Sequence, residues 1–393
     1  MRKHKSNRTI GVVTMLLLSI GLLIIYAIGP QRANFMNSAY GVNYDTNYFF
    51  IHQAVSVGLS IAAFMVAMKV PYRKVFGWAR AMMIAALVLC LMMAVMAFLQ
   101  HGESGGIVTC ALGGCRWFNL GGFSFQPAEL LKISMILYLA TLISKHKQEG
   151  TFETKEFFVP LLIVAGAALA FVVVAQKDMG TGVVMIAIIL AMLWASGMQT
   201  KYFGVVFGVL LVGGLLAVIT SPHRMDRVRT YLSGQEADAD SSYHIDNAML
   251  AIGTGGLFGV GLGNSVQATG YLPESINDSV FAIMGETFGF LGLTVILLAF
   301  LILLTNILRV AGEVDEEEEL IATGVFAWIG THVVVNIAAM TGLIPLTGIT
   351  LPLLSYGGTS MIFIAYAVGM VGQMSCYTRR KTKAEGVYRR RKV

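Results

Sequence analysis

Long apolar runs separated by short polar segments dominate the hydropathy pattern of this chain. Ten of these runs approach the length of ~20 residues that a helix needs to cross a bilayer. The pattern predicts an all-α polytopic membrane protein with about ten transmembrane helices and a long outer loop between helices 7 and 8. The predicted spans are residues 10–28, 50–68, 79–99, 128–144, 157–175, 180–196, 202–220, 280–308, 321–341 and 357–376.

Composition agrees with this pattern. Of the 393 residues, 56% are hydrophobic and 13% are charged, whereas a soluble domain carries about a quarter charged residues. The first apolar run follows a basic start, as in a signal peptide. No small-residue cleavage site follows it and many more spans come later, so we interpret it as the first transmembrane helix.

The distribution of basic residues predicts the orientation. With an even number of spans both termini lie on one side, and the segments on that side hold 21 of the 28 Lys and Arg residues. Cytoplasmic loops are enriched in these residues. We therefore expect a single membrane domain over 1–393, with cytoplasmic basic tails at 1–9 and 377–393 and an extracellular loop at 221–279.

Three outer segments are unusual. They are residues 100–128, 221–279 and 341–360, and the last is apolar but is broken by Pro345 and Pro352. Irregular backbone at membrane depth is tolerated where it is buried in protein or lines a wet cavity. We expect the three segments to fold together over a cavity on the outer side.

Charged residues at membrane depth are candidates for function because each costs roughly 2.5–3.5 kcal/mol on insertion scales. Glu129 and Lys132 are spaced i, i+3 after Pro127, which suits a first helical turn. They form either a structural ion pair or a site in which Lys132 binds an anionic substrate. Asp178 either caps the sixth span or holds a basic residue of the site.

Two further motifs indicate a function less strongly. The run "IGTGGLFGVGLGNS" (252–265) superficially resembles a nucleotide-binding loop but has no preceding strand and no Walker lysine. A flexible re-entrant or interfacial loop that approaches a ligand closely fits it better. Cys110 and Cys115 bracket "CALGGC" and would pair if the loop faces an oxidising compartment.

The stretch "YLPESINDSVFAIMGE" (271–286) places Glu274, Asp278 and Glu286 before and within the eighth span. Eight helical residues rise roughly 12 Å, so we expect Asp278 at the mouth of a cavity and Glu286 deeper. Asp278 is either a general base with a raised pKa or a plain N-cap. The sequence has no HExxH, paired CxxC or Gly-x-Ser-x-Gly motif for zinc or serine chemistry.

Taken together, the outer segments resemble the SEDS family, integral membrane peptidoglycan glycosyltransferases of shape, elongation, division and sporulation. The similarity lies in "RWFNLGGFSFQPAELLK" (116–132), "QKDMGTG" (176–182), "GGLFGVGLGNS" (255–265), "YLPESINDSVFAIMGETFGFLG" (271–292) and "NIAAMTGLIPLTGITLPLLSYGGTS" (336–360). It covers nearly the whole chain.

The resemblance implies a reaction. Members of this family polymerise lipid II, an undecaprenyl-diphosphate-linked disaccharide-pentapeptide, on the outer face of the bacterial cytoplasmic membrane. The family's essential aspartate falls on Asp278, proposed to accept the proton of the acceptor sugar's 4-hydroxyl. Arg116 and Lys132 would offset the charge of the leaving diphosphate, and the loop arginines Arg224, Arg227 and Arg229 are weaker candidates. The supporting substrate-binding residues would be Gln126, Glu129, Asp178, Glu274 and Ser355.

The resemblance also implies partners. These are a class B penicillin-binding protein that cross-links the product, membrane lipids, and divisome or elongasome proteins, with no nucleic acid. No cofactor is certain, and a divalent cation, Mg²⁺ or Mn²⁺, is left open. "FSFQPAEL" and "YFFIHQ" (48–53) favour the division members (FtsW) over the elongation members (RodA).

Departures from the family pattern surround the aspartate. The family often has "LPESHTDF" where this chain has Ile276, Asn277 and Ser279 around Asp278. These changes remove no charged residue of the site, but they leave the roles of the neighbours open. Two other functions also remain open: a flippase that moves lipid II through the same charged cavity, and a non-catalytic scaffold for the transpeptidase. A flippase needs cations for the diphosphate but no base at a sugar hydroxyl.

Overall fold

The computed structural model describes residues 7–100, 107–111, 114–120, 123–233 and 239–377. The basic tails predicted at 1–9 and 377–393 lie almost entirely outside these ranges. The elements, in chain order, are α1 (Arg8–Tyr40), α2 (Tyr48–Lys69), α3 (Tyr72–Gly77), α4 (Ala79–Leu99), β1 (Val108–Ala111), β2 (Gly114–Leu120), β3 (Phe123–Phe125), α5 (Pro127–Gln148), α6 (Lys155–Leu169), a π-helix (Ala170–Ala175), α7 (Met179–Ala195), α8 (Thr200–Ile219), α9 (Pro222–Ser233), α10 (Ala239–Thr254), a 3₁₀ turn (Gln267–Thr269), α11 (Val280–Ala311), α12 (Glu316–Met340), α13 (Thr359–Met374) and a final 3₁₀ turn (Ser375–Tyr377).

The predicted membrane architecture is confirmed. Among the described residues, nine helices are long and apolar enough to cross a bilayer, and α7 is a shorter apolar helix. These ten correspond one to one with the ten predicted spans. α5, α12 and α13 are the most buried and form the centre of the bundle, whereas α8 is almost wholly uncovered by protein. An apolar helix with so little protein contact suits a lipid-facing position.

Of the helices that extend beyond their predicted bounds, α1 and α12 do so most at a single end. α1 continues to Tyr40 although Pro30 lies within it, because its outer part packs on other segments. There, the Gln31 side chain donates a hydrogen bond to the carbonyl of Gly263 at 2.9 Å. α12 begins at Glu316 with four glutamates in its first turn, where negative charge favours the positive end of the helix dipole.

The outer segment between α4 and α5 forms a small antiparallel sheet in the order β1-β2-β3, which the sequence did not predict. Cys110 and Cys115 are opposite each other in the β1–β2 pairing and form a disulfide. The pairing that the sequence left open is therefore present. It joins β1 to β2 close to the connection between the two strands, on the side predicted to face outward.

The segment 221–279, predicted as a loop, contains two helices, α9 and α10. The glycine run that follows α10 packs against a kink in α11 at Gly289, where φ is +67°. A side chain at Gly255 would collide with the carbonyl of Gly285, and one at Gly259 with that of Thr287. These glycines therefore permit close packing of backbone on backbone. The predicted approach of this run to a ligand stays a prediction.

The three unusual outer segments meet, as predicted. The amide of Tyr356 donates to the carbonyl of Ile276 at 2.7 Å, and Arg227 Nη1 donates to the carbonyl of Leu346 at 3.1 Å. The amide of Gln126 donates to Thr359 Oγ1 at 3.2 Å. Segment 341–358 has no regular helix or strand, and it links the other two.

Candidate active site

Asp278 lies in a turn immediately before α11, and main-chain hydrogen bonds fix this turn. The carbonyl of Glu274, which has a φ of +48°, accepts from the amides of Asn277 at 2.9 Å and Ser279 at 3.3 Å. The Asn336 side chain on α12 donates to the carbonyls of Asp278 and Ile349, both at 2.7 Å. Asp278 is not the N-cap, as one sequence interpretation had it, because that position belongs to Ser279.

The carboxyl group of Asp278 is buried, and its Oδ1 has no hydrogen-bond partner among the described residues. Burial and, second, the negative charge of Glu274 raise the pKa of Asp278 to about 7, against the main-chain N–H groups of Asp278 and Ser279 and the charge of Arg227. A carboxyl group with a pKa near the working pH and an unoccupied oxygen is suited to accept a proton.

Glu274 and Ser355 belong to the frame around this turn. Glu274 is exposed, and its carboxylate accepts a hydrogen bond from the Asn277 side chain. Ser355 is buried; its Oγ accepts from the amide of Leu351 at 2.8 Å and its carbonyl accepts from the Gln53 side chain at 3.3 Å. These contacts stabilise the loop that carries Tyr356. The predicted role of both residues in binding substrate stays a prediction.

His244, which the sequence analysis did not single out, contacts the same turn from α10. Its Nε2 lies 2.6 Å from Ser279 Oγ, and both side chains are buried. A lone histidine in the polar segment 239–247 gave no sequence signal of this contact.

Glu286 lies deeper in α11, as predicted, and its carboxylate is fully engaged. It accepts hydrogen bonds from Ser265 Oγ and from the amides of Val266 at 3.0 Å and Gln267 at 3.3 Å. With 2% of its surface exposed, Glu286 fastens the end of the glycine run to α11. Its role in this structure is therefore to hold residues 265–267 against α11.

Glu129 and Lys132 form the predicted ion pair, at 2.9 Å, in the first turns of α5. Lys132 is fully buried. Its Nζ also lies 3.3 Å from His332 Nε2 and 4.9 Å from the centre of the Trp328 ring. Because an ammonium group can only donate, His332 Nε2 accepts, and His332 Nδ1–H donates to the carbonyl of Thr350 at 3.1 Å.

Arg116 and Arg224 both donate hydrogen bonds to backbone carbonyls in or just after the π-helix that follows α6. Arg116 donates to the carbonyls of Gln176 at 3.2 Å and Lys177 at 3.0 Å. Arg224 donates to the carbonyls of Ala217 and Val173. Both side chains are partly exposed. Burial and then the nearby charge of Arg116 lower the pKa of Arg224, while Asp178 raises it.

Asp178 caps α7, which was one of its two predicted roles. Its Oδ1 accepts from the amide of Thr181 at 2.9 Å, and its Oδ2 accepts from the Thr181 hydroxyl and from Gln126 Nε2 at 3.3 Å. Gln126 thus joins α7 to the start of α5. Most of the predicted residues therefore fall into three groups: Asp278 with Glu274, Lys132 with Glu129, and Arg116 with Arg224, Asp178 and Gln126.

Comparison with known proteins decides the family. The model of the FtsW/RodA/SpoVE family, described as "Cell cycle protein", matches residues 7–380. The chain belongs to this family. Within it, the chain is 35% identical to Stage V sporulation protein E of Bacillus subtilis, over 96% of this chain and 99% of that protein. It is 33% identical to a probable peptidoglycan glycosyltransferase FtsW of Geobacter sp., over 94% and 96%.

Solved structures share the fold of this chain. A chain of a peptidoglycan synthase complex, described as coordinating polymerization and crosslinking, superposes with a TM-score of 0.70 at 20% identity and covers 94% of this chain and 97% of its own length. The rod shape determining protein RodA of Thermus thermophilus gives a TM-score of 0.65 at 22% identity, with 95% and 98% covered. This family member is thus a multi-pass membrane protein with the same helical architecture.

The described residues provide no ready site for a divalent cation. Across the described ranges, no group of three or more His, Cys, Asp or Glu side chains is placed to hold a metal ion. Near Asp278 the acidic neighbour is Glu274, whose carboxylate is already bonded to Asn277. A divalent cation therefore stays a prediction, and no step of the proposed chemistry depends on one.

Proposed function

We propose that this chain is a peptidoglycan glycosyltransferase that polymerises lipid II into glycan strands at the outer face of the cytoplasmic membrane. The observation that carries the proposal is the buried carboxyl group of Asp278, with an unbonded Oδ1 and a raised pKa, where the outer segments meet. Family membership supports it, because relatives that match most of the chain carry the name peptidoglycan glycosyltransferase.

In the proposed reaction, the outer segments separate enough for the acceptor to reach the buried Oδ1 of Asp278, and Asp278 accepts the proton of the acceptor sugar's 4-hydroxyl group. The oxygen attacks the anomeric carbon of the donor as the bond from that carbon to the diphosphate oxygen breaks. The lipid diphosphate leaves with the electron pair, and the proton stays on Asp278 until it passes to solvent or to the leaving group. A base with a pKa of about 7 can both accept and release a proton near neutral pH.

The departing diphosphate needs nearby cations. Arg116 and Arg224 suit this role because their guanidinium groups are partly exposed and are fixed by backbone carbonyls. Lys132 is fully enclosed by Glu129, His332 and Trp328 in this conformation, so it would reach a diphosphate only if the bundle opened. We therefore propose that Arg116 and Arg224, rather than Lys132, bind the leaving diphosphate.

The proposed setting follows from charge and family. The excess of Lys and Arg on one side of the spans supports cytoplasmic termini and an outward-facing site in a bacterial inner membrane. We propose septal cell-wall synthesis during division, with a class B penicillin-binding protein as partner, because several relatives are named FtsW. Elongation, the role of RodA-type members, is the alternative. Labelling the protein in growing cells distinguishes the two, by its position at the septum or along the wall.

The decisive experiment uses purified full-length protein with its partner transpeptidase and lipid II in detergent. We expect glycan strands from the wild type and from Asp246→Asn, a control carboxylate exposed on α10, and none from Asp278→Asn. Polymer from Asp278→Asn at the wild-type rate would overturn the role of the base. Movement of lipid II across vesicle membranes without any polymer would instead favour a flippase.

A further inference from the structure

His244 and Ser279 connect the outer helix α10 to the turn that carries Asp278. The 2.6 Å contact between His244 Nε2 and Ser279 Oγ joins residues 35 positions apart in the sequence. Ser279 Oγ also lies 2.8 Å from the carbonyl of Pro273, at the beginning of the same turn. The Ser279 side chain therefore lies between α10 and both ends of the turn.

The directions of these hydrogen bonds follow from the groups involved. The carbonyl of Pro273 can only accept, so the single hydroxyl proton of Ser279 points to it. Ser279 Oγ must then accept from His244, which places a proton on Nε2. The pKa of His244 is lowered, mainly by burial. The negative charge of Glu274 opposes this shift, and the positive charge of Arg227 adds to it. The imidazole is therefore neutral near pH 7, with its proton on Nε2.

Ser279 also helps to close the turn through its backbone. Its main-chain N–H donates to the carbonyl of Glu274 at 3.3 Å, on the far side of the candidate base in the chain. A shift of Ser279 would therefore move Asp278, its neighbour in the chain. The position of His244 on α10 thus affects the position of the Asp278 carboxyl group, through Ser279.

We propose that His244 is a positioning residue for Asp278. Its Nε2–H fixes Ser279, and Ser279 fixes the turn in which Asp278 faces the acceptor hydroxyl. The inference rests on the proposed glycosyltransferase function. It also accounts for one departure from the family pattern, since a serine stands at 279 where the family often has phenylalanine, and a phenylalanine could not accept this hydrogen bond.

The test compares lipid II polymerisation by four variants of the full-length protein with its partner. His244→Leu and Ser279→Ala each remove the hydrogen bond, and we expect kcat to fall by about tenfold or more with KM unchanged, because small displacements of a reacting group are costly. The double variant should be no slower than the slower single variant, since both remove one interaction. His244→Gln keeps an N–H donor at a similar reach and should restore most of kcat.

The control is Asn247→Leu, which replaces a polar side chain on α10 that bonds to the carbonyl of Tyr243 in its own helix. It should leave kcat unchanged. Wild-type kcat in both single variants, or losses that multiply in the double variant, would overturn the proposal, as would a His244→Gln variant as slow as His244→Leu. If His244→Leu does not fold, the smaller change Ser279→Ala decides. Failure of the wild type to polymerise would instead count against the proposed function.

Discussion

Lys132 and Glu129 form an ion pair at 2.9 Å in which the lysine is fully buried and the glutamate nearly so. Removing one partner from such a pair strands a buried charge and costs about 3–5 kcal/mol. We therefore expect Lys132→Met and Glu129→Leu each to lower the unfolding temperature strongly. The double variant should recover most of the loss, because no charge remains unpaired.

The same double variant separates structure from catalysis. Lipid II polymerisation by a well-folded double variant would show that the pair is structural. A stable double variant without activity would support the predicted contact between Lys132 and substrate. Thermal unfolding in detergent and the polymerisation assay are measured on the same preparations.

The pH dependence of kcat/KM should report the ionisation of Asp278. With a pKa of about 7, the base is lost as pH falls, so we expect the rate to drop about tenfold per pH unit below that value. Glu274→Gln removes a negative charge that raises this pKa and should move the midpoint to lower pH. Arg227→Gln removes an opposing positive charge and should move it upward. Shifts in the reverse directions would contradict the assignment.

Asp278 should also destabilise the folded protein at neutral pH and above. Its pKa in the fold is about 7, against roughly 3.9 unfolded, so the neutral acid is favoured by folding. Stability therefore falls as pH rises from about 4 to about 7 and stays lower above that. Asp278→Asn should be more stable than the wild type at pH 8, by up to about 4 kcal/mol, and equally stable at pH 4. Thermal unfolding at both values checks this.

Glu286→Gln should loosen the end of the glycine run. The carboxylate accepts from Ser265 and from the amides of Val266 and Gln267, and a glutamine amide group would place one donor against these donors. A hydrogen bond to a charged group contributes about 1.5–3 kcal/mol, so we expect faster amide hydrogen exchange at Val266 and Gln267. Glu313→Gln, an exposed control just beyond the inner end of α11, should leave this exchange unchanged.

The sequence predicted the membrane helices well because the bilayer imposes one length and one composition on each span. It also located the ion pair of Glu129 and Lys132, since their spacing places both on one helical face. The small sheet at Val108–Phe125 was missed because its strands are short and glycines interrupt the sequence between them. The helices α9 and α10 were missed because they are polar and lie in a segment interpreted as a loop.

The neighbours of Asp278 were the least predictable part of the site. Asn336 and His244 reach the turn from positions 58 and 35 residues away. Asn336 opens the stretch 336–360 that resembles the family, but the pattern of that stretch does not indicate this contact, and His244 belongs to none of the quoted stretches. The unbonded oxygen of Asp278 depends on burial in three dimensions, which the sequence pattern does not contain. Helical spacing could therefore order Asp278 and Glu286 by depth, but it could not decide which of the two carboxylates is engaged in hydrogen bonds.

The turn at Asp278 is held mainly through its backbone: the carbonyls of Glu274, Ile276 and Asp278 accept the hydrogen bonds that fix it. A carbonyl is the same whichever side chain its residue carries. The hydrogen bonds that fix the aspartate therefore do not depend on which side chains stand at positions 276 and 277, where this chain has the unusual Ile276 and Asn277. An inhibitor that hydrogen-bonds to the main chain of this turn would thus be little affected by resistance mutations that change only the side chains at these positions.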